Sequence, residues 1–96
     1  PLRFRILGSG SSGNAALLLT DDTKILVDAG FSVRRLEAML ADSGEPLANI
    51  NAIFLTHEHG DHSAALKGLA KHPHIQVFAN DPTRRSLQRS LKHQIT

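Results

Sequence analysis

Apolar and polar positions along the chain alternate first with a period of two and then with a helical period. Leu2-Arg3-Phe4-Arg5-Ile6-Leu7 alternates apolar and basic residues, the pattern of a strand. Ala15 to Thr20 and Lys24 to Asp28 are apolar runs, and the polar Asp21-Asp22-Thr23 between them has the length and character of a hairpin turn. The period then lengthens. Val33, Leu36, Met39 and Leu40 recur at helical spacing behind Ser32, a good N-cap, and Gly44 with Pro46 stops the pattern. Asn51 to Thr56, built on Ile53, Phe54 and Leu55, reads as a short buried strand. Ala64, Ala65, Leu66, Leu69 and Ala70 predict a second helix ending near His72-Pro73, and Ile75 to Ala79 predicts another strand. Asn80 or Asp81 caps a third helix with Pro82 at its first position, and Leu87 and Leu91 give it only a thin apolar stripe. The expected order is β-β-β-α-β-α-β-α, an α/β or α+β class. Phe4, Phe31, Phe54 and Phe78 all lie in or beside apolar segments and are expected in the core.

Composition narrows the chemistry. The chain has 96 residues and no cysteine, which removes disulfides, thiolate nucleophiles and thiolate zinc sites together. Histidine and carboxylate remain as the strong metal ligands. A reducing, cytoplasmic setting fits, and no signal peptide is read at Pro1. The longest apolar run, Ala15 to Leu19, is five residues, against the roughly 20 that a membrane helix needs. Charge is uneven: residues 1–61 carry five basic and eight acidic side chains, and residues 62–96 carry six basic and one acidic. That basic final third is either a solvated face or a surface for a polyanion such as nucleic acid.

Directly after the strand at Asn51–Thr56 comes Thr56-His57-Glu58-His59-Gly60-Asp61-His62. With six His and six Asp in 96 positions, His-x-His-x-Asp-His arises by chance in roughly one such chain in a thousand. His57 and His59, two apart on a chain leaving a strand, point to one side and suit a single cation. Asp61 and His62 fall where the chain turns into a helix and project in another direction, so one loop serves two adjacent ions. Imidazole and carboxylate suit Zn²⁺ first, with Mn²⁺ or Fe²⁺ open as alternatives. Glu58 and Gly60 need not bind metal; Gly60 is expected to permit the sharp turn.

This motif, together with Leu7-Gly8-Ser9-Gly10-Ser11-Ser12-Gly13-Asn14 and Ile25-Leu26-Val27-Asp28-Ala29-Gly30-Phe31-Ser32, resembles the metallo-β-lactamase superfamily and, within it, the YycJ/WalJ-type branch of metal-dependent exonucleases. Nearly the whole chain lies inside the resemblance. It implies an αββα sandwich, two divalent metal ions, and hydrolysis of a DNA phosphodiester by metal-bound hydroxide. His57 and His59 would hold the first ion and Asp61 and His62 the second, with Asp61 the catalytic carboxylate of the set and Asp28 hydrogen-bonded behind the metal loop. The resemblance also implies further ligands many tens of residues downstream. His72, His74 and His93 lie too close to the motif to match them, so residues 1–96 are expected to be the N-terminal half of a sandwich, with an exposed sheet edge and inner face open to self-association. Thioester or lactam hydrolysis, and a metal-binding piece without catalysis, remain the alternatives.

Gly8-Ser9-Gly10-Ser11-Ser12-Gly13 also fits the dinucleotide fingerprint, but the short stretch from Leu7 to Ile25 has no room for a crossover helix. Ser9, Gly10, Ser11, Ser12, Gly13 and Asn14 instead form a candidate phosphate loop, or simply a turn that pairs two strands. Arg85, Arg89 and Lys92, at i, i+4 and i+7 beside Arg84, form a candidate basic ridge for a nucleic-acid backbone, without aromatic partners. His72 and His74 flank Pro73 and are expected to be exposed.

Overall fold

The computed structural model describes residues 2–57 and 59–96, the Asp61 side chain excepted, so the expectations that fall on Pro1 and Glu58 lie outside the described residues. Five strands form one sheet in the order β1-β2-β3-β4-β5. They are β1 (Arg3–Gly8), β2 (Ala15–Leu19), β3 (Lys24–Val27), β4 (Ala52–Phe54) and β5 (Gln76–Phe78). The first three pair antiparallel, joined by the Gly8–Gly13 loop and the Asp21-Asp22-Thr23 turn, where Thr20 N–H bonds the Thr23 carbonyl at 2.9 Å. β3, β4 and β5 are parallel, so helical crossovers must join them. The first is α1 (Val33–Asp42), capped by Ser32 Oγ accepting from Arg35 N–H. A 3-10 turn at Leu47–Asn49 follows it into β4. The mixed α/β class and the eight-element order are as read from the sequence.

The second crossover differs from expectation. The apolar spacing predicts a single helix from Ala64; instead a four-residue helix α2 (Gly60–Ser63) gives way to a 3-10 run at Ala64–Lys71. The reason is a competing hydrogen bond. Ala65 N–H, which in an α-helix would reach the carbonyl four residues back, donates to the Ala29 carbonyl at 2.9 Å, and Ala29 N–H donates to the His62 carbonyl at 2.7 Å. The end of β3 is thereby fastened to the start of this crossover. Gly68 lets the run approach α1, since a Cβ there would overlap the Val33 side chain. Gly60 has no comparable role: it opens α2 with an ordinary φ, and a Cβ on it would meet nothing within 4 Å.

α3 spans Asp81–Gln88, with Asn80 Oδ1 accepting from Thr83 N–H at 3.0 Å and Pro82 in its second position. It stops before Lys92. Gln88 then ties down the following loop, donating to the carbonyls of Leu91 and His93 and accepting from Ile95 N–H, all within 3.0 Å. This seats Ile95 in the core beside Val77, a contact the sequence pattern did not announce.

Side-chain alternation sorts the sheet into two unlike faces. Leu17, Leu26, Ile53 and Val77 form one cross-strand row, each at most 1% exposed, beneath Leu36 and Leu40 of α1 and Leu69 of the 3-10 run. The next row, Ile6, Ala16, Val27, Phe54 and Phe78, points the other way. No described element covers that face. Phe4 and Phe54 are 62% and 42% exposed, which corrects their assignment to the core; Phe31 alone of the four phenylalanines is fully buried. Phe54 and Phe78 stack on each other at 4.9 Å between ring centroids.

Candidate metal centre

The carboxyl ends of parallel β3 and β4 lie side by side, and the chain leaving each carries the residues singled out above. Asp28 follows β3 with φ of 64°, a left-handed conformation that costs a residue with a β-carbon about 1–3 kcal/mol. Hydrogen bonds from three directions hold it there. Its N–H donates to the Phe54 carbonyl at 2.8 Å; Oδ1 accepts from Thr56 N–H at 2.8 Å; Oδ2 accepts the Thr56 hydroxyl at 2.7 Å and lies 2.8 Å from His62 Nδ1. The Asp28 side chain is only 9% exposed, so these partners replace its water.

The histidines gather around this anchor. His57 and His59 face one another with centroids 6.2 Å apart and planes 20° apart, as two residues on the same side of an extended segment should. His62, expected to project elsewhere, lies closer to His57, at 4.6 Å. Two bonds draw it back: His62 N–H reaches the His59 carbonyl at 2.9 Å, and Asp28 holds the ring from the β3 side. The Asp61 backbone sits in α2, while its side chain lies outside the described residues. Among the described residues no three His, Cys, Asp or Glu side chains converge on one point. The donor chemistry of three clustered imidazoles nonetheless fits a divalent, borderline-soft cation.

The glycine loop joins the same end of the sheet. Asn14 Oδ1 accepts Gly10 N–H at 3.0 Å and its Nδ2 donates to the Gly10 carbonyl at 2.8 Å, which fixes both the loop and the amide orientation. That Nδ2 lies 3.5 Å from His62 Nε2. Ser9, Gly10, Ser11 and Ser12 are exposed at the surface. Gly8 and Gly13 have a packing role instead, because a Cβ on either would overlap the Phe31 ring. The loop links antiparallel β1 and β2, with no crossover helix, so it is not a dinucleotide-binding βαβ turn.

The remaining candidates are scattered. Arg85, Arg89 and Lys92 are exposed, but α3 ends at Gln88, so Lys92 does not continue a helical ridge; it borders a groove of about 500 Å³ with Lys67, Leu91 and His93. Arg84 leans on Asp81 at 3.6 Å. His74 is exposed as expected, but His72 is half-buried. His74 and His93 spend Nε2 on the carbonyls of Ala48 and Ile75. Sequence reasoning missed the hydroxyl of Thr56; the only signal for it was its place at the end of an apolar run, next to the histidines.

The family model described as the metallo-beta-lactamase superfamily matches residues 8–95. The chain belongs to this superfamily. It is 38% identical over 88 residues to exodeoxyribonuclease WalJ of Streptococcus pneumoniae, covering 92% of this chain and 33% of that protein. It is 40% identical over 82 residues to exodeoxyribonuclease YycJ of Bacillus anthracis, covering 85% and 31%. The superfamily chain thus spans about a third of the length of these relatives. A diphosphatase of the PhnP family superposes on all of it and on 49% of its own chain, with a TM-score of 0.77 at 19% identity, a likeness of fold. The metallo-β-lactamase fold implies divalent metal ions. Among the described residues no helix is long and apolar enough to cross a membrane.

Proposed function

We propose that residues 1–96 are the N-terminal half of a metallo-β-lactamase sandwich in a cytoplasmic, binuclear metal-dependent phosphodiesterase that acts on DNA as an exonuclease. In this reading His57 and His59 hold one ion, Asp61 and His62 the other, and Zn²⁺ is the first choice with Mn²⁺ second. The observation that carries it is the Asp28 anchor: a buried carboxylate behind a histidine loop at the end of a strand orients ligands and has no comparable use in a plain surface turn. When bound, the two ions would supply Lewis acidity to a water and to the phosphoryl oxygens. The chain's own residues orient. Asp28 and Thr56 fix the imidazoles, Asp61 adds the carboxylate, and Ser9, Ser11, Ser12 and the N–H groups of the glycine loop offer donors to a phosphate beside them. Arg85, Arg89 and Lys92 give a cationic surface for the backbone of the strand. DNA is favoured as substrate by the two exodeoxyribonuclease relatives.

The open sheet face supports the half-sandwich reading, since it gathers exposed large apolar side chains, Phe4, Ile6 and Phe54, and a contiguous apolar patch ordinarily meets a partner surface. The decisive experiment incubates the whole protein that contains these residues with end-labelled linear DNA, with and without a chelator, beside its His59→Ala variant. Nucleotide release that the chelator abolishes and the variant lowers at least a hundredfold is expected. Intact DNA alongside hydrolysis of a thioester or lactam overturns the substrate assignment. Intact DNA and no bound metal by mass spectrometry overturns the enzyme.

A further inference from the structure

We propose that Thr56 is a positioning residue that sets the tautomer of His57, so that one carboxylate, Asp28, turns the Nε2 atoms of both His57 and His62 toward metal. The inference rests on the reading of those histidines as ligands, and its argument is a count of hydrogens. A carboxylate only accepts, and a threonine hydroxyl has a single hydrogen to give. Thr56 Oγ1 lies 2.7 Å from Asp28 Oδ2, so its hydrogen is committed there. His57 Nδ1 lies 2.9 Å from the same Oγ1 and must therefore donate to it. His62 Nδ1, 2.8 Å from Asp28 Oδ2, must likewise be the donor. Both rings carry hydrogen on Nδ1, leaving a lone pair on Nε2.

A second contact agrees for His62. Asn14, whose amide orientation is fixed by its two bonds to Gly10, turns its NH₂ group toward His62 Nε2 at 3.5 Å, the outer edge of hydrogen-bond range, which matches a lone pair rather than a hydrogen on that nitrogen. The two histidines differ in how they reach the carboxylate: His62 contacts Asp28 directly, whereas His57 reaches it only through the Thr56 hydroxyl. A methyl group in place of that hydroxyl removes the acceptor for His57; from His62 it takes only a long 3.4 Å contact to Nδ1 and leaves the 2.8 Å bond to Asp28 standing. Thr56 therefore acts first on the ion that His57 would hold.

The test uses long-range proton–nitrogen NMR spectra of the metal-free protein, above the pH at which imidazole is protonated, followed by metal titration. In the unaltered protein His57 and His62 are expected as Nδ1–H tautomers, against the usual preference of a free histidine side chain for Nε2–H. Thr56→Val should return His57 to a mixture, leave His62 unchanged, and weaken one of two metal-binding steps about 10- to 100-fold. Thr56→Ser, which keeps the hydroxyl, should restore both. An Nε2–H form of His57 in the unaltered protein overturns the proposal, as does a Thr56→Val variant with unchanged tautomer and unchanged binding. Nδ1–H tautomers that respond as stated in a protein that takes up no metal would uphold the relay and refute the metal reading.

Discussion

The chain uses histidine in two contrasting ways. His57, just past β4, and His62, in α2, direct Nδ1 to side-chain oxygens of Thr56 and Asp28. Elsewhere, His74 and His93 direct Nε2 to the backbone carbonyls of Ala48 at 2.8 Å and Ile75 at 2.7 Å. The side chains are identical, and the difference lies in which nitrogen the fold consumes. An imidazole that gives Nε2 to a carbonyl closes a loop and has finished its work. One gripped at Nδ1 by a buried carboxylate, directly or through a hydroxyl, holds its outer nitrogen toward chemistry.

The comparison breaks first at Asp28. Asp28→Ala removes a carboxylate that accepts two hydrogen bonds from Thr56 and one from His62, and it leaves a β-carbon at φ of 64°. With charged hydrogen bonds worth about 1.5–3 kcal/mol each and partial relaxation of the loop, the variant should lose about 3–5 kcal/mol in urea unfolding. A loss below about 1 kcal/mol would mean that the network is a consequence of the fold and contributes little to it.

Gly13→Ala comes next. Its φ of 149° and the overlap of a new Cβ with the Phe31 ring should together cost about 2–3 kcal/mol, measured the same way. Adding Phe31→Ala on top of Gly13→Ala should then cost less than Phe31→Ala does alone, because the added methyl fills space the ring vacated. Strict additivity would remove packing against Phe31 as the reason for this glycine and leave its positive φ as the cause.

His93→Ala sharpens the contrast directly. Losing its bond to the Ile75 carbonyl should lower stability by about 1–2 kcal/mol while leaving metal uptake unchanged, and His62→Ala should abolish one metal-binding step. Thermal unfolding and metal titration on both variants separate the two roles. Weakened metal uptake in His93→Ala would erase the distinction between them.

Much of this was legible in the sequence because it depends on local period and on residue type. The three-strand start, the Ser32 cap and the histidine motif all reside within short windows. What escaped depends on partners far along the chain. The carbonyl of Ala29 takes Ala65 N–H and breaks the expected helix; nothing between Gly60 and Lys71 reveals that acceptor. The Thr56 hydroxyl gains its role from Asp28, 28 residues away. Gln88 and Ile95 close the sheet through a loop with no apolar period. The phenylalanines were misplaced for a different reason: alternation says which residues share a face, but only the neighbours of that face decide whether it is buried.

The smallest effect predicted for the 96-residue chain tests that last point. Phe4 is 62% exposed on β1, opposite Leu18, on the uncovered face. In the 96-residue chain Phe4→Ser should change the unfolding free energy by no more than about 0.5 kcal/mol, as exposed substitutions do. In the whole protein, where the proposed half-sandwich gains its second layer, the same change should cost about 3 kcal/mol, the scale for truncating a buried aromatic ring. Equal, small effects in both would leave this face open to water and remove the support it gives to the half-sandwich. A large effect in the short chain alone, dependent on protein concentration, would show that a second copy covers the face instead.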